Sequence, residues 1–301
     1  MITVLERTGT AMGKAPVTRR RRRGLGGLGI LGPVAVLGLL FGYPLVTVVQ
    51  QSFHDRLGRP HGTETWQTVL TSKEFRTGLT STVELAVGST IGCVVLGTFF
   101  AVVLAFIPFP GSLAISRMST VILAFPSFFI ALSFAVLYSR TGVVSSVVDG
   151  VAGTQEALGG FIYTPWAVAL AEITFYTPFV VRPVLAACRQ VQVEQLHVAA
   201  SLGAGPWQVV RQVLLPELVP SIVAGGSLCL LLTLNEFGIV LFIGAKDVLT
   251  LPVLIYTKGI VSFDYPAAAV LACVQVVLSV TLYGLGRLVL ARLGGRRAAV
   301  D

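Results

Sequence analysis

Apolar residues in this 301-residue chain gather into long unbroken runs, without the striping of an amphipathic helix or the alternation of a half-buried strand. Six runs approach or exceed the roughly 20 residues that a helix needs to cross a bilayer core. They cover residues 25–49, 79–107, 120–138, 165–187, 219–243 and 267–289. Continuous rather than alternating hydrophobicity predicts helices and argues against a barrel. The polar segments 50–76, 140–163 and 244–265 fall on one side, and 108–118 and 188–216 on the other. The first three are too long for simple turns and contain apolar stretches such as 251–256, which predict short interfacial helices.

Composition agrees. Hydrophobic residues make up 54% of the chain and charged residues 12%, against about 25% charged in an ordinary soluble domain. A soluble globule and a disordered chain are both excluded. What remains is an all-α polytopic membrane protein with six transmembrane helices.

The net charge of +8 raises nucleic acid as a partner, but its placement points elsewhere. Arg19 to Arg23 immediately precede the first run, where the positive-inside rule puts a cytoplasmic anchor. With the N-terminus inside, fifteen of the 22 basic residues fall on inner segments and inner span ends, and seven outside. Both termini are then cytoplasmic. No basic helix or aromatic-basic stripe accompanies the arginines, so nucleic acid is not an expected partner. The predicted organisation is a basic tail at 1–24, a six-helix membrane domain at 25–292 with an inner loop at 188–216, and a tail at 293–301. Cys93, Cys188, Cys229 and Cys273 show no C-x-x-C spacing and read as small core residues rather than a disulfide or metal framework.

The inner loop carries the most information. Residues 193–202 form a short helical pattern with small residues on one side. Gly203-Ala204-Gly205 breaks it, and Pro206 suits the first position of a second helix, which runs through Trp207, Val210 and Val213 to a stop at Pro216. Two helices meeting at a glycine corner would project as a compact knob. The plain alternative is an amphipathic connector lying on the membrane surface.

These residues resemble the EAA motif of ABC importer permeases, in which E-A-A is followed after three residues by G and after nine more by I-x-L-P. Gly203, Val213, Leu215 and Pro216 stand at the G, I, L and P positions, Ala199 at the second alanine, and Ser201 to Ala204 form the usual SLGA. The chain departs from the pattern at His197, where the family has glutamate, and at Val198, where it has alanine. Glu194 lies one turn earlier on the same face. The resemblance implies a type I ABC importer permease fold in the bacterial inner membrane. It also implies that the loop docks into a separate cytoplasmic ATPase dimer, which holds the ATP and Mg. A second permease, identical or paralogous, would complete the pathway, and an extracytoplasmic binding protein would deliver substrate. The chain itself is then neither an enzyme nor a cofactor binder. Its near-match to a phosphate-binding loop, Gly9 to Lys14, has the wrong spacing and Ala15 in place of Ser or Thr.

Glu84, Glu172 and Glu236 fall within the second, fourth and fifth runs, where ionisable groups cost about 2.5–3.5 kcal/mol on insertion scales. Glu84 can reach the outer interface. Glu172, near Thr174 and Tyr176, is a candidate pathway residue or is held by interhelical hydrogen bonds. Asn235-Glu236-Phe237-Gly238 predicts a break or cavity-lining point in the fifth span, with Glu236 lining or shaping the pathway or else serving helix packing. It resembles the EFG element of sulfate, molybdate and phosphonate importers.

Asn235 to Gly238, then Gly244-Ala245-Lys246, then Thr250-Leu251-Pro252 with Ile255-Tyr256, resemble the 2-aminoethylphosphonate permeases, with support from Phe125 to Phe128. Lys246 and Lys258 could attract an anionic substrate or be solvated loop lysines. Pro126, Pro178 and Pro183 are expected to kink their helices, and Gly88 with Gly92 gives one G-x-x-x-G pair. The reading is therefore a phosphonate importer permease. Another small oxyanion or ferric iron is the alternative substrate, and an ion-coupled secondary transporter is the alternative class.

Overall fold

The computed structural model describes residues 26–139, 141–152, 160–246 and 248–295. The tail 1–24 with Arg19 to Arg23 and the Gly9 to Lys14 run, together with Arg140, Asp247, Arg296 and Arg297, lie outside the described residues. Among those described, all regular structure is helical apart from one isolated bridge between His54 and Pro60.

The chain divides into two units at Thr47 and Val48. In the first, α1 (Gly26–Leu37) passes through a π turn at Gly38–Gly42 into α2 (Tyr43–Gln51), which crosses the division. The second holds α3 (Glu64–Thr71), α4 (Lys73–Phe106), α5 (Ser112–Ile122), α6 (Ser127–Leu137), α7 (Val143–Ala152) and α8 (Pro165–Cys188). After α8 come α9 (Val193–Ser201), α10 (Pro206–Val209), α11 (Leu215–Leu234), α12 (Gly238–Ile243), α13 (Leu251–Tyr256) and α14 (Tyr265–Gly295). The short helices expected in the polar segments are α3, α7 and α13.

Five helical stretches among the described residues are long and apolar enough to cross a membrane: Gly32–Gln51, Lys73–Phe106, Pro165–Cys188, Pro206–Leu234 and Tyr265–Leu288. The third run differs from the single span expected of it. It divides at residues 123–126, because Pro126 has no N–H to continue a helix and disfavours helical backbone at Phe125. The remaining α6 has 11 residues, about 16 Å of helix at 1.5 Å per residue, roughly half a bilayer core. Pro178 and Pro183 sit inside α8, which continues through both. One further expectation is revised. Pro216 does not stop the second loop helix: a π turn at Val210–Leu214 carries α10 into α11, and this local widening accommodates the missing donor of Pro216 within a helix that continues from Pro206 to Leu234.

The packing centre of the second unit is α8, parallel to α4 and antiparallel to α11. One stripe of α4 is buried: after Phe75 in the first turn it is all small, Gly78, Thr82, Ala86, Ser89, Cys93, Gly97 and Ala101. The opposite stripe, Val87, Ile91, Val95 and Phe99, is large, apolar and exposed. Lipid is as apolar as these side chains, so burial selects for close backbone approach rather than for hydrophobicity. A Cβ on Gly97 would lie 2.7 Å from Val180 Cβ, and one on Gly225 of α11 would lie 3.1 Å from Val180 Cα. Glycine at both positions is what brings the three helices together.

Candidate functional site

Helix α9 ends where Gly203 adopts a left-handed φ of +86°. The Gly203 N–H donates to Ala200 O at 3.0 Å and the Ala204 N–H to Ala199 O at 3.1 Å, satisfying the last carbonyls of the helix. Gln208 then reaches back to accept from the Gly205 N–H at 2.9 Å, and Pro206 begins α10. The result is a rigid corner whose apolar side chains face outward: Val198 is 59% exposed, Leu202 82% and Trp207 71%. Glu194 and His197 are exposed on α9, whereas Ala199, Ala204, Val213 and Leu215 are half-buried and Pro216 is exposed. The structure thus places Glu194 to Ala204 at the corner and Val213, Leu215 and Pro216 farther along the helix that leaves it. It leaves Val198, Leu202 and Trp207 as the exposed apolar side chains of the corner. Their hydrophobicity was visible in the sequence, but a chain this apolar gives no signal for which apolar residues are bare.

A second constellation sits at the end of α11. The helix stops at Leu234, and α12 restarts at Gly238. Between them the buried Glu236 turns its carboxyl inward. One oxygen accepts from Ser127 Oγ at 3.0 Å and from the Ile239 N–H at 2.8 Å, and the other accepts from Tyr176 Oη. A single side chain therefore ties the starts of α6 and α12 to the middle of α8. Gly238 is needed beside it, since a Cβ there would lie 2.9 Å from Ser127 Oγ. Asn235 is exposed at the break, and its amide donates to Leu231 O at 2.7 Å and to Ser279 Oγ of α14 at 3.2 Å. Gln275 of α14 donates to Leu234 O at 2.8 Å and to Asn235 Oδ1 at 3.2 Å. The fifth span breaks where its sequence indicates, with Asn235 on the accessible side and Glu236 on the buried side.

Glu172 on α8 is fully buried, and neither carboxyl oxygen has a hydrogen-bond partner among the described residues. The interhelical bonds expected for it are absent from this conformation. Ser89 Oγ, on the buried stripe of α4, is likewise unpaired.

A family profile described as "Binding-protein-dependent transport system inner membrane component" matches residues 94–295. The chain belongs to this family. The permease is 44% identical over 269 residues, 89% of its own length and 94% of the relative's, to the "Putative 2-aminoethylphosphonate transport system permease protein PhnU" of Salmonella typhimurium. It is also 33% identical over 197 residues, 62% of its length and 66% of the relative's, to the sulfate transport system permease protein CysT of Escherichia coli. Among solved structures, a chain of a bacterial alginate importer superposes with a TM-score of 0.73 at 17% identity, covering 88% of the permease and 94% of that chain. A chain of the MetNI methionine transporter gives 0.56 at 18% identity, covering 76% and 98%. The fold is that of ABC importer permeases, and the permease is a transport subunit rather than an enzyme.

On the face carrying α3 and α13, Lys258 of the permease pairs with Glu74 at 2.7 Å, and the Arg56 guanidinium pairs with Asp264. Lys246 is exposed, and its backbone N–H donates to Tyr163 O at 3.0 Å. Glu84 is exposed on α4 rather than buried among helices. Tyr176 and Ser127, which hold Glu236, are residues of this constellation that sequence reasoning did not assign. Both lay beside motifs already singled out, but pairing across 60 and 109 residues has no local signal.

Proposed function

We propose that this permease forms half of the translocation pathway of an ATP-driven importer, with 2-aminoethylphosphonate as substrate. The substrate reading rests on the 44% identity to the Salmonella protein of that name across nearly its whole length. Coupling rests on the α9–α10 corner, a rigid knob with three bare apolar side chains that suits a groove on a cytoplasmic ATPase dimer. That dimer would carry the ATP and Mg. Closing of the ATPases would move the corner, and the continuous helix Pro206–Leu234 would carry the motion to the break at Asn235 to Gly238. Asn235 and Glu172 would line or adjust the pathway, and Glu236 with Gly238 would hold its hinge. A second permease and an extracytoplasmic binding protein complete the assembly. We further read α5, the turn at 123–126 and α6 as one broken crossing, which gives six in all and places both termini on the inner side.

The test reconstitutes the permease with its ATPase, partner permease and binding protein in proteoliposomes containing ATP. Uptake of 2-aminoethylphosphonate in preference to sulfate and phosphate is expected. Sulfate is the second substrate to test because of the 33% identity to the sulfate permease. Failure to carry any phosphonate would overturn the substrate. Uptake that persists without ATP under an ion gradient would overturn the class.

A further inference from the structure

Helices α4 and α8 run parallel, close at one point and apart at another. A Cβ on Gly92 would lie 2.4 Å from Ile173 Cδ1, whereas one on Gly88, a turn earlier, would meet nothing within 4 Å. The helices therefore splay toward their shared N-terminal ends and leave a groove of about 620 Å³, lined also by Phe161, Pro165 and Val248. Its deep end is apolar, formed by Leu85, Leu170 and Ile173 around Gly88. Its shallow end carries Ser81, Glu84 and Trp166, the last 77% exposed.

Glu84 lies 11 residues into α4, about 16 Å along the axis. It is exposed at the rim of the groove, where a carboxylate can pair with a cationic group. No second copy of this chain supplies that partner from a span. Its apolar runs carry no Lys or Arg except Arg182 and Arg287, near the ends of α8 and α14 farthest from their starts. The polarity gradient along the groove, a carboxylate and hydroxyl at the rim above an apolar slot, matches an amphiphile with a cationic head and a hydrocarbon tail. Exposed tryptophan at that level is the side chain favoured at lipid headgroups.

We propose that this groove binds a membrane lipid whose headgroup bears a primary ammonium, such as phosphatidylethanolamine, with the ammonium on Glu84 and an acyl chain running past Gly88 toward Ile173. The substrate proposed above shares the aminoethyl group, but it has no tail to fill the slot. The site does not depend on that substrate reading.

The assembled transporter is placed in nanodiscs of equimolar phosphatidylethanolamine, phosphatidylcholine and phosphatidylglycerol, and retained lipids are identified by native mass spectrometry. Phosphatidylethanolamine should be retained over phosphatidylcholine by roughly fivefold, the size of one polar contact in a membrane protein. Glu84→Gln should keep a lipid but lose the preference, Glu84→Asp should restore it, and Gly88→Phe should lose the lipid whatever its headgroup. Absence of headgroup preference in the native complex, or its persistence in Glu84→Gln, would overturn the site. So would displacement of the lipid by 2-aminoethylphosphonate, or disulfide capture of a Gly88→Cys variant by another permease helix.

Discussion

The three-donor arrangement at Glu236 permits a test in which the sign of one mutation should change with its background. Tyr176→Phe removes only a hydroxyl, because the ring keeps its neighbours Phe175 and Phe179 at 5.0 and 6.0 Å between centroids. The lost bond joins α8 to the break after α11. Hydrogen bonds between membrane helices average about 0.6 kcal/mol and reach about 1.7, while those to charged groups in proteins run about 1.5–3. A cost of about 1–2 kcal/mol is therefore expected. At roughly 2–4 °C per kcal/mol for a domain of this order of size, the midpoint of thermal unfolding in detergent should fall by about 2–8 °C. Glu236→Met removes the acceptor for Tyr176, Ser127 and Ile239 together and leaves the buried Tyr176 hydroxyl orphaned, at about 1–3 kcal/mol per buried group. In that background Tyr176→Phe should cost nothing or restore stability. The assay is the four-variant cycle, followed by tryptophan fluorescence and by retention of monodisperse protein after heating. If Tyr176→Phe costs the same whether or not Glu236 is present, the carboxyl does not join these helices and the hinge assignment fails.

Gly203→Ala meets no steric obstacle but must hold a left-handed φ, a strain of about 1–2 kcal/mol; the transporter should still assemble while binding-protein-stimulated ATP hydrolysis drops, and unchanged stimulation would dissociate the corner from coupling. Gly97→Val places a branched side chain where even a Cβ lies 2.7 Å from Val180, so stability should fall by about 1–3 kcal/mol or more, read as lost expression of folded protein. Asp264→Ala should cost more than Arg56→Ala in thermal unfolding: Asp264 is buried and caps the start of α14 through the Ala267 N–H at 3.3 Å, worth about 1 kcal/mol, whereas the Arg56 side chain is 71% exposed and its pairing is worth about 0–1. In the loop after α2, Asp55 accepts from the backbone N–H groups of Arg59 and Leu57, at 2.7 and 2.9 Å. The Arg59 bond chiefly holds its carboxyl below the ordinary 3.8. Because the folded value is depressed, the ionised turn is favoured above that ordinary value and loses its support as pH falls through the lower folded one. Hydrogen exchange at the Leu57 and Arg59 amides, corrected for intrinsic rates, should therefore stay protected to below pH 3.8 and lose that dependence in Asp55→Asn.

Local rules carried the amino-acid sequence a long way. Run length and hydropathy determined membrane residence and helices. Gly203 and Pro206, at fixed spacing from Leu215 and Pro216, determined a cornered loop, and the polar pair Asn235-Glu236 before Gly238 determined a break in a span. Each follows from backbone donors, allowed φ or transfer cost, all of which act within a few residues. The faces were not legible. On α4 the buried stripe from Gly78 to Ala101 is small and includes the polar Thr82 and Ser89, whereas the exposed one from Val87 to Phe99 is large and apolar, so the rule that the more hydrophobic face is buried names the wrong face when the solvent is lipid. The sequence also overran at Pro126, where one proline divides a run that composition alone reads as continuous, and at Pro216, where a π turn absorbs a proline that looks like a stop. The fates of the two deep glutamates belonged to tertiary structure alone. Glu236 is satisfied because Tyr176 and Ser127 arrive from other helices, whereas Ser89 of α4 faces Glu172 without reaching hydrogen-bond geometry. Insertion cost flags both residues equally, and only three-dimensional packing supplies the donors that tell them apart.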